Sequence, residues 1–173
     1  FHYIKLKKEE TRKRCLSLEQ MRELRDAKLH GKQALYRDFF MLGFYLIGIN
    51  VSDLLTLKKE DLRNGRISYY RNKTGRLYDI KVEPEAMEII SRYRSRNPKY
   101  LLRFFEDAGT FDVDHFTNNM NRTLRRIGPK DPNDMRKASP HPIDSKMSSY
   151  YNRHSWATFA SEIGIPLETI GRA

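Results

Sequence analysis

The residues best suited to chemistry lie in one short segment near the end of the sequence. In Tyr150-Tyr151-Asn152-Arg153-His154, the residues Tyr150, Arg153 and His154 are three and four positions apart, so a helix places them on one face. An arginine between two side chains with hydrogen-bonding tips suits a phosphate group, because its planar guanidinium donates two parallel hydrogen bonds. The same segment also fits a surface arginine that pairs with an acid, so the segment alone leaves the choice open.

A second group of cations falls in a predicted β-hairpin. The runs 66–71 and 77–82 are rich in strand-forming residues, and Asn72-Lys73-Thr74-Gly75 between them has the composition of a turn. If the first strand continues into the turn, Arg71 and Lys73 point to the same side, with Arg76 just beyond them. Such a tip suits a phosphate group or a nucleic-acid groove, and a lysine with a lowered pKa can protonate a leaving oxygen. A solvated hairpin tip explains the same residues equally simply.

Helices must hold these two segments in place. Ser17-Leu18-Glu19-Gln20 matches a capping box, and the run from Ala34 to Ile47 is apolar nearly all round, which predicts a buried central helix ending at Gly48. The other helix signals are Ser52 as an N-cap, Pro84 in a first turn, a helix over 114–127, a long helix over 145–164 and a last helix opened by Pro166. The predicted fold class is therefore mainly α, with one small antiparallel β-hairpin or sheet.

The composition limits the classes of function. The 173 residues include 33 Lys and Arg against 22 Asp and Glu, and the formal net charge of +11 favours a polyanionic partner such as nucleic acid. Cys15 is the single cysteine, so neither an intramolecular disulfide nor a cysteine-based zinc site can form. The longest apolar run, 39–49, is too short to span a membrane, and no signal peptide is visible. We expect one domain in a reducing cytoplasm, with no membrane partner.

Three segments in order resemble the catalytic domain of tyrosine recombinases. They are residues 42–62, the hairpin Lys73-Thr74-Gly75, and the segment from Tyr150 to Ile170, and the resemblance runs over about 16–173. It is closest to the integrases of Bacteroidetes mobile elements. The resemblance implies that family's fold, a bacterial cytoplasmic and nucleoid-associated location, and DNA breakage and rejoining through a 3′-phosphotyrosine link. It also implies double-stranded DNA and other recombinase protomers in a synaptic tetramer as partners, and no cofactor or metal.

The resemblance implies a role for each matching position. Lys73 matches the family's hairpin lysine, the general acid, and Arg153 matches the arginine of its His-x-x-Arg motif. Tyr150 stands at the histidine of that motif and keeps a hydrogen-bonding tip, although an ordinary tyrosine pKa of about 10 makes it a poor proton shuttle at neutral pH. Asn50 stands where the family has its first arginine, and we hypothesise that Arg71 supplies the missing charge.

The family's nucleophilic tyrosine has no counterpart in the matched segments. The resemblance implies that a Leu-Gly-His element and this tyrosine follow Ala173, because Ile170-Gly171-Arg172 leads into that element. We therefore expect residues 1–15 to be a basic linker from an upstream domain, and 16–173 to be a catalytic domain cut before its nucleophile. Such a fragment binds DNA but does not complete strand cleavage. His154 is interpreted as a buttress of the helix that carries the arginine.

Further DNA contacts are expected to be electrostatic and directed at the backbone. The predicted contacts are Arg76, Lys130, Lys137 and a helical stripe made of Arg122, Arg125 and Arg126. The alternative function is a non-catalytic basic DNA-binding module that keeps the fold, and the residue types at Asn50 and Tyr150 support it. An RNA-binding domain is disfavoured, because no strand shows an RNP-like aromatic pattern.

Overall fold

The computed structural model describes residues 14–105, 111–129 and 139–172. Helices dominate this part of the chain. Two of them begin at residues that favour a helix start. Ser17 forms a complete capping box with Gln20 at the start of one, and Pro84 occupies the first position of another. The helices are α1 (Leu18–Asp26), α2 (Gly31–Tyr45), α3 (Val51–Thr56), α4 (Pro84–Arg92), α5 (Val113–Leu124), α6 (Tyr150–Glu162) and α7 (Leu167–Arg172).

A small antiparallel sheet lies between α3 and α4 in the chain. Its strands, in spatial order, are β1 (Leu62–Arg63), β2 (Arg66–Tyr70) and β3 (Leu77–Lys81). Alternation along the strands buries Ile67, Tyr69 and Ile80 on one face, while their neighbours on the other face are exposed. The sheet therefore has one face on the core and one face in solvent.

Helix α2 is the centre of the core. It packs against α1, α4, α5 and α6. Phe39 and Phe40 on α2 are fully buried, and the Phe39 ring meets Tyr93, Phe104 and Phe116 edge to face at centroid distances of 5.7, 4.8 and 5.4 Å. This all-round burial explains why the α2 sequence shows no polar face.

A buried carboxylate joins α2 to its neighbours. Asp38 accepts hydrogen bonds from Arg37 Nε and Arg92 Nη1, each at 2.7 Å, and from the Tyr93 hydroxyl at 2.8 Å. Arg37 Nη1 in turn donates to the Ala27 carbonyl at the end of α1. Burial and the hydrogen bond to Asp38 raise the pKa of Tyr93 to about 12. The network fixes the relative positions of α1, α2 and α4.

The predicted fold class is confirmed, and several boundaries differ from the prediction. Helix α3 is capped by Asn50 rather than Ser52, because the extended backbone conformation ends at residue 50. Helix α6 begins at Tyr150 rather than near Ser145, since Asp144 Oδ1 accepts from Lys146 N at 2.6 Å and holds a turn there. Helix α5 ends at Leu124, and β1 is a third strand that the hairpin pattern did not indicate. In the described part of the chain, no helix is long and apolar enough to cross a membrane.

Candidate functional site

The central feature is a cleft between the start of α3, the start of α6 and one side of α5. Its volume is about 240 Å³, and its wall includes Asn50, Tyr150 and Arg153. Asn50 is the N-cap of α3, yet its side chain makes no capping hydrogen bond. Asn50 thus lines the cleft without capping α3 through its side chain. The structure thus brings together three of the five residues predicted to be catalytic.

Close packing of Gly48 against α6 sets the position of Arg153. Gly48 has a φ of 73°, and a Cβ added there would lie 2.6 Å from the Arg153 Cα and 2.8 Å from its Cβ and Cγ. Arg153 Nη1 also donates to the Gly48 carbonyl at 3.4 Å, a long hydrogen bond. Residue 48 is therefore more than a helix terminator, since only glycine leaves room for the backbone of α6.

Side chains of α5 hold the segment that leads into α6. Asn121 Oδ1 accepts from Ser149 N at 2.7 Å, and Arg125 Nε donates to the Met147 carbonyl at 3.1 Å. These two hydrogen bonds fix the chain just before Tyr150. The orientation of the α6 face that carries the cleft residues therefore depends on α5.

The hairpin tip departs from the geometry that the sequence predicted. Strand β2 ends at Tyr70, and the Arg71 carbonyl accepts from Thr74 N at 3.2 Å and from Gly75 N at 2.8 Å. Lys73 therefore lies in a closed turn and is exposed, while Arg71 is half-buried. The expectation that both side chains share a strand face is wrong, because the strand does not extend to residue 73.

A buried carboxylate connects α3 to this turn. Asp53 is 3% exposed, and its Oδ1 accepts from Asn72 N at 3.1 Å. Burial and the charge of Asp53 raise the pKa of Tyr69, whereas the positive charges of Arg71 and Arg153 act in the opposite direction. The Asp53 carboxylate thus holds the start of the turn that carries Lys73, next to the half-buried Arg71. That Arg71 supplies the missing charge stays a prediction.

His154 lies on the exposed side of α6. Its ring is 5.1 Å from the Tyr150 ring, centroid to centroid. Burial, followed by the charges of Arg14 and Arg153, lowers the pKa of His154 below its ordinary value. The lowered pKa leaves the imidazole uncharged at neutral pH, so His154 adds no positive charge there. Its role as a buttress of the helix stays a prediction.

The other predicted DNA contacts are distributed along the surface. Arg76 is exposed near the hairpin tip, with its guanidinium carbon 5.9 Å from the Tyr78 ring centre. Arg122 lies on α5 and donates to Asn119 Oδ1 at 2.6 Å, but Arg125 caps the helix and Arg126 follows it. The predicted continuous helical stripe is therefore wrong in its last turn. Lys130 and Lys137 lie outside the described residues, as does the basic segment 1–13.

In 14–105, 111–129 and 139–172, no group of three or more His, Cys, Asp and Glu side chains is placed to hold a metal ion. The cleft wall offers carboxamide, hydroxyl and guanidinium donors, and it also includes one carboxylate, that of Asp114 at the start of α5. The donors suit the oxygens of a phosphate group.

Comparison with known proteins supports the fold. No protein-family model and no curated protein matches the chain. The crystal structure of XerA recombinase matches with a TM-score of 0.60 and 16% identity, covering 91% of this chain and 54% of that one. The chain has the tyrosine recombinase fold. A structure of lambda integrase (75–356), a dimer bound to a COC′ core site, matches with a TM-score of 0.59 and 14% identity, covering 91% and 53%. The chain spans about half the length of each of these two proteins.

The roles of several residues in the site were not predicted from the sequence. Asp53 and Asn121 act through backbone amides that are distant in sequence, and no local pattern marks such contacts. Gly48 and Gly43 were visible only as glycines near a helix end, although a Cβ on Gly43 would overlap the carboxamide of Asn152 on α6. Two glycines facing one helix are a signal of close packing, but only the folded chain shows which helix they face.

Proposed function

We propose that residues 16–173 form the DNA-binding catalytic domain of a site-specific tyrosine recombinase or integrase, with residues 1–15 as a basic linker. The observation that carries this proposal is the convergence of Asn50, Tyr150 and Arg153 on one cleft in a chain with the recombinase fold. In the intact parent, a tyrosine oxygen attacks a phosphodiester, a 3′-phosphotyrosine bond forms and the 5′-oxygen leaves. Rejoining reverses these steps on another DNA end, which integrates or excises a mobile element.

Each residue of the cleft and of the hairpin turn has a defined task in this proposal. Arg153 donates to the non-bridging oxygens, whose negative charge grows in the pentavalent transition state. Arg71 supplies a second positive charge, since Asn50 and Tyr150 donate hydrogen bonds without one. Lys73 on the hairpin tip gives its proton to the leaving 5′-oxygen once DNA has brought the turn over the cleft.

The proposed partners are double-stranded DNA and further protomers of the recombinase in a synaptic tetramer. The net charge of +11 supports the first partner. The lambda integrase structure of similar fold is a dimer bound to a core site, which supports both. No cofactor is required, because the energy of the broken phosphodiester is kept in the phosphotyrosine bond.

DNA binding by the 173-residue chain tests the proposal. We expect the logarithm of the affinity for duplex DNA to fall linearly with the logarithm of salt concentration, and Arg153→Ala to weaken binding and reduce that slope by about 1. Arg71→Ala should behave in the same way. Arg94→Ala, which removes an exposed arginine assigned to no DNA contact, is the matched control and should leave the slope unchanged. Equal effects of Arg153→Ala and Arg94→Ala would contradict the proposal.

A non-catalytic DNA-binding module is the second candidate. It is favoured by the residue types at Asn50 and Tyr150, which bring neither a positive charge nor a proton shuttle at neutral pH. A nicked substrate that traps phosphotyrosine links separates the two candidates in the parent protein. The enzyme forms a covalent adduct and the module does not.

A further inference from the structure

One carboxylate lines the candidate cleft, and the chemistry proposed above gives it no task. Asp114 is the second residue of α5, and it lines the cleft together with Arg153. A different carboxylate caps the helix, because Asp112 is the N-cap of α5 and its side chain accepts from His115 N at 2.9 Å. Capping of α5 therefore does not explain why an acid lies at position 114.

The Asp114 carboxylate is available to a ligand. Within 14–105, 111–129 and 139–172, it makes no hydrogen bond and no ion pair. The side chain is exposed on the wall of the cleft, so water and salt screen its charge. A ligand that enters the cleft therefore meets a negative charge that no described residue neutralises, and the effect of that charge is moderate.

The wall of the cleft carries no net charge. Among the described residues that line it, Arg153 brings the one positive charge and Asp114 the one negative charge. The remaining polar side chains of the wall are neutral and hold hydroxyl or carboxamide groups: Asn50, Ser52, Thr117, Ser149, Tyr150 and Asn152. A second negative charge on a bound phosphate is attracted by Arg153 and repelled by Asp114, so it adds little to binding.

We infer that Asp114 sets the charge of the phosphate that the cleft accepts. The cleft takes the singly charged phosphate of a phosphodiester and gives no advantage to the doubly charged phosphate of a phosphomonoester. The inference rests on the proposed function for the presence of a phosphate, and it adds a residue that determines selectivity at that site. An internal phosphate of a DNA strand is a diester, whereas a phosphate at the end of a broken strand is a monoester.

Titrations of the 173-residue chain with two small phosphates test the inference. Dimethyl phosphate carries one negative charge, and methyl phosphate carries nearly two at pH 8, because the second pKa of a phosphomonoester is about 6. The NMR signal of the Arg153 Nε–H group reports occupancy of the cleft by each probe. Constant ionic strength keeps the screening of charge the same in both titrations. The measured quantity is the affinity for methyl phosphate divided by the affinity for dimethyl phosphate.

Three substitutions give the expected pattern of this ratio. Asp114→Asn should raise it about threefold, which is the size of the interaction between unit charges across a solvated cleft of about 240 Å³. Asp114→Glu keeps the charge and should keep the ratio of the parent chain. Asp112→Asn is the matched control, because it removes the same charge two residues away and asparagine caps a helix as well as aspartate does. It should leave the ratio close to that of the parent.

The possible failures are distinct. If both probes shift the Arg153 signal but Asp114→Asn leaves the ratio unchanged, the inference alone is wrong, and the acid at 114 only stabilises the helix dipole of α5. Equal increases in Asp114→Asn and Asp112→Asn would show a general effect of net charge and would also refute it. If neither probe shifts the Arg153 signal, no phosphate enters the cleft, and the proposed function fails together with the inference.

The variants should remain folded. The Asp114 carboxylate makes no hydrogen bond or ion pair with any described residue, so we expect Asp114→Asn to melt close to the parent chain. Melting temperatures measured for all variants check this before the ratios are compared.

Discussion

Replacement of Gly48 by alanine tests how the cleft arginine is positioned. Two features of Gly48 oppose any side chain. Its φ of 73° lies in the left-handed region, and a Cβ would lie 2.6 Å from the Arg153 Cα. The atom that this Cβ would meet belongs to the backbone of α6. It cannot move aside by a rotamer change, as the end of a flexible side chain can. Alanine at 48 must therefore displace α6, and the guanidinium of Arg153 with it.

The size of the effect follows from these two features. A left-handed alanine costs about 1–2 kcal/mol of folding free energy. Overpacking against a well-packed neighbour costs about 1–3 kcal/mol more. Gly48→Ala should therefore lower the free energy of unfolding by about 2–5 kcal/mol. Gly65 is the matched control, because its φ is 71° and a Cβ there meets nothing within 4 Å. Gly65→Ala should lower the free energy of unfolding only by about 1–2 kcal/mol, the contribution of the left-handed conformation.

Urea denaturation measures both free energies, and the NMR signal of the Arg153 Nε–H group reports the position of the side chain. We expect that signal to shift in Gly48→Ala and to stay in place in Gly65→Ala. Equal losses of unfolding free energy in the two variants, or an Arg153 signal that Gly48→Ala leaves unchanged, would show that Gly48 does not place Arg153 by close packing against α6. The first result would mean that α6 moves away freely, and the second that Gly48 does not position Arg153.

Two further predictions concern the network around Asp38. Asp38→Ala should lower the free energy of unfolding by about 3–5 kcal/mol, since it leaves partly buried arginine charge without its partner. Asp79→Ala, which breaks a similar but exposed cluster, should have little effect in the same urea titration. The raised pKa of Tyr93, about 12, makes stability fall as pH rises from about 10 to 12, by about 3 kcal/mol. Tyr93→Phe should remove that fall, and an unchanged fall would contradict the assignment.

Much of the fold could be predicted from local signals in the sequence. The capping box at Ser17 and the proline at the start of α4 are read within one helical turn, so both were predicted correctly. The hairpin was found from its strand-forming runs and its turn residues. The boundary of α6 was missed, because the turn at Asp144 competes with helix formation through a side-chain hydrogen bond.

The candidate site was also predicted correctly in part and incorrectly in part. The helical spacing of Tyr150 and Arg153 correctly predicts that both face one cleft. The relation of Arg71 to Lys73 was predicted incorrectly, because the turn closes on the Arg71 carbonyl and ends the strand early. The contact of Gly48 with Arg153 joins segments far apart in the chain, so only the packing of α2 on α6 creates it.

We propose that a DNA phosphate occupies the cleft formed by Asn50, Tyr150 and Arg153. An NMR titration of the 173-residue chain with duplex DNA tests it most directly, by following the Arg153 Nε–H signal and the Asn50 side-chain amide. We expect both signals to shift in proportion to the DNA bound, and added salt to reverse the shifts. Duplex DNA that binds while both signals stay unchanged would contradict it.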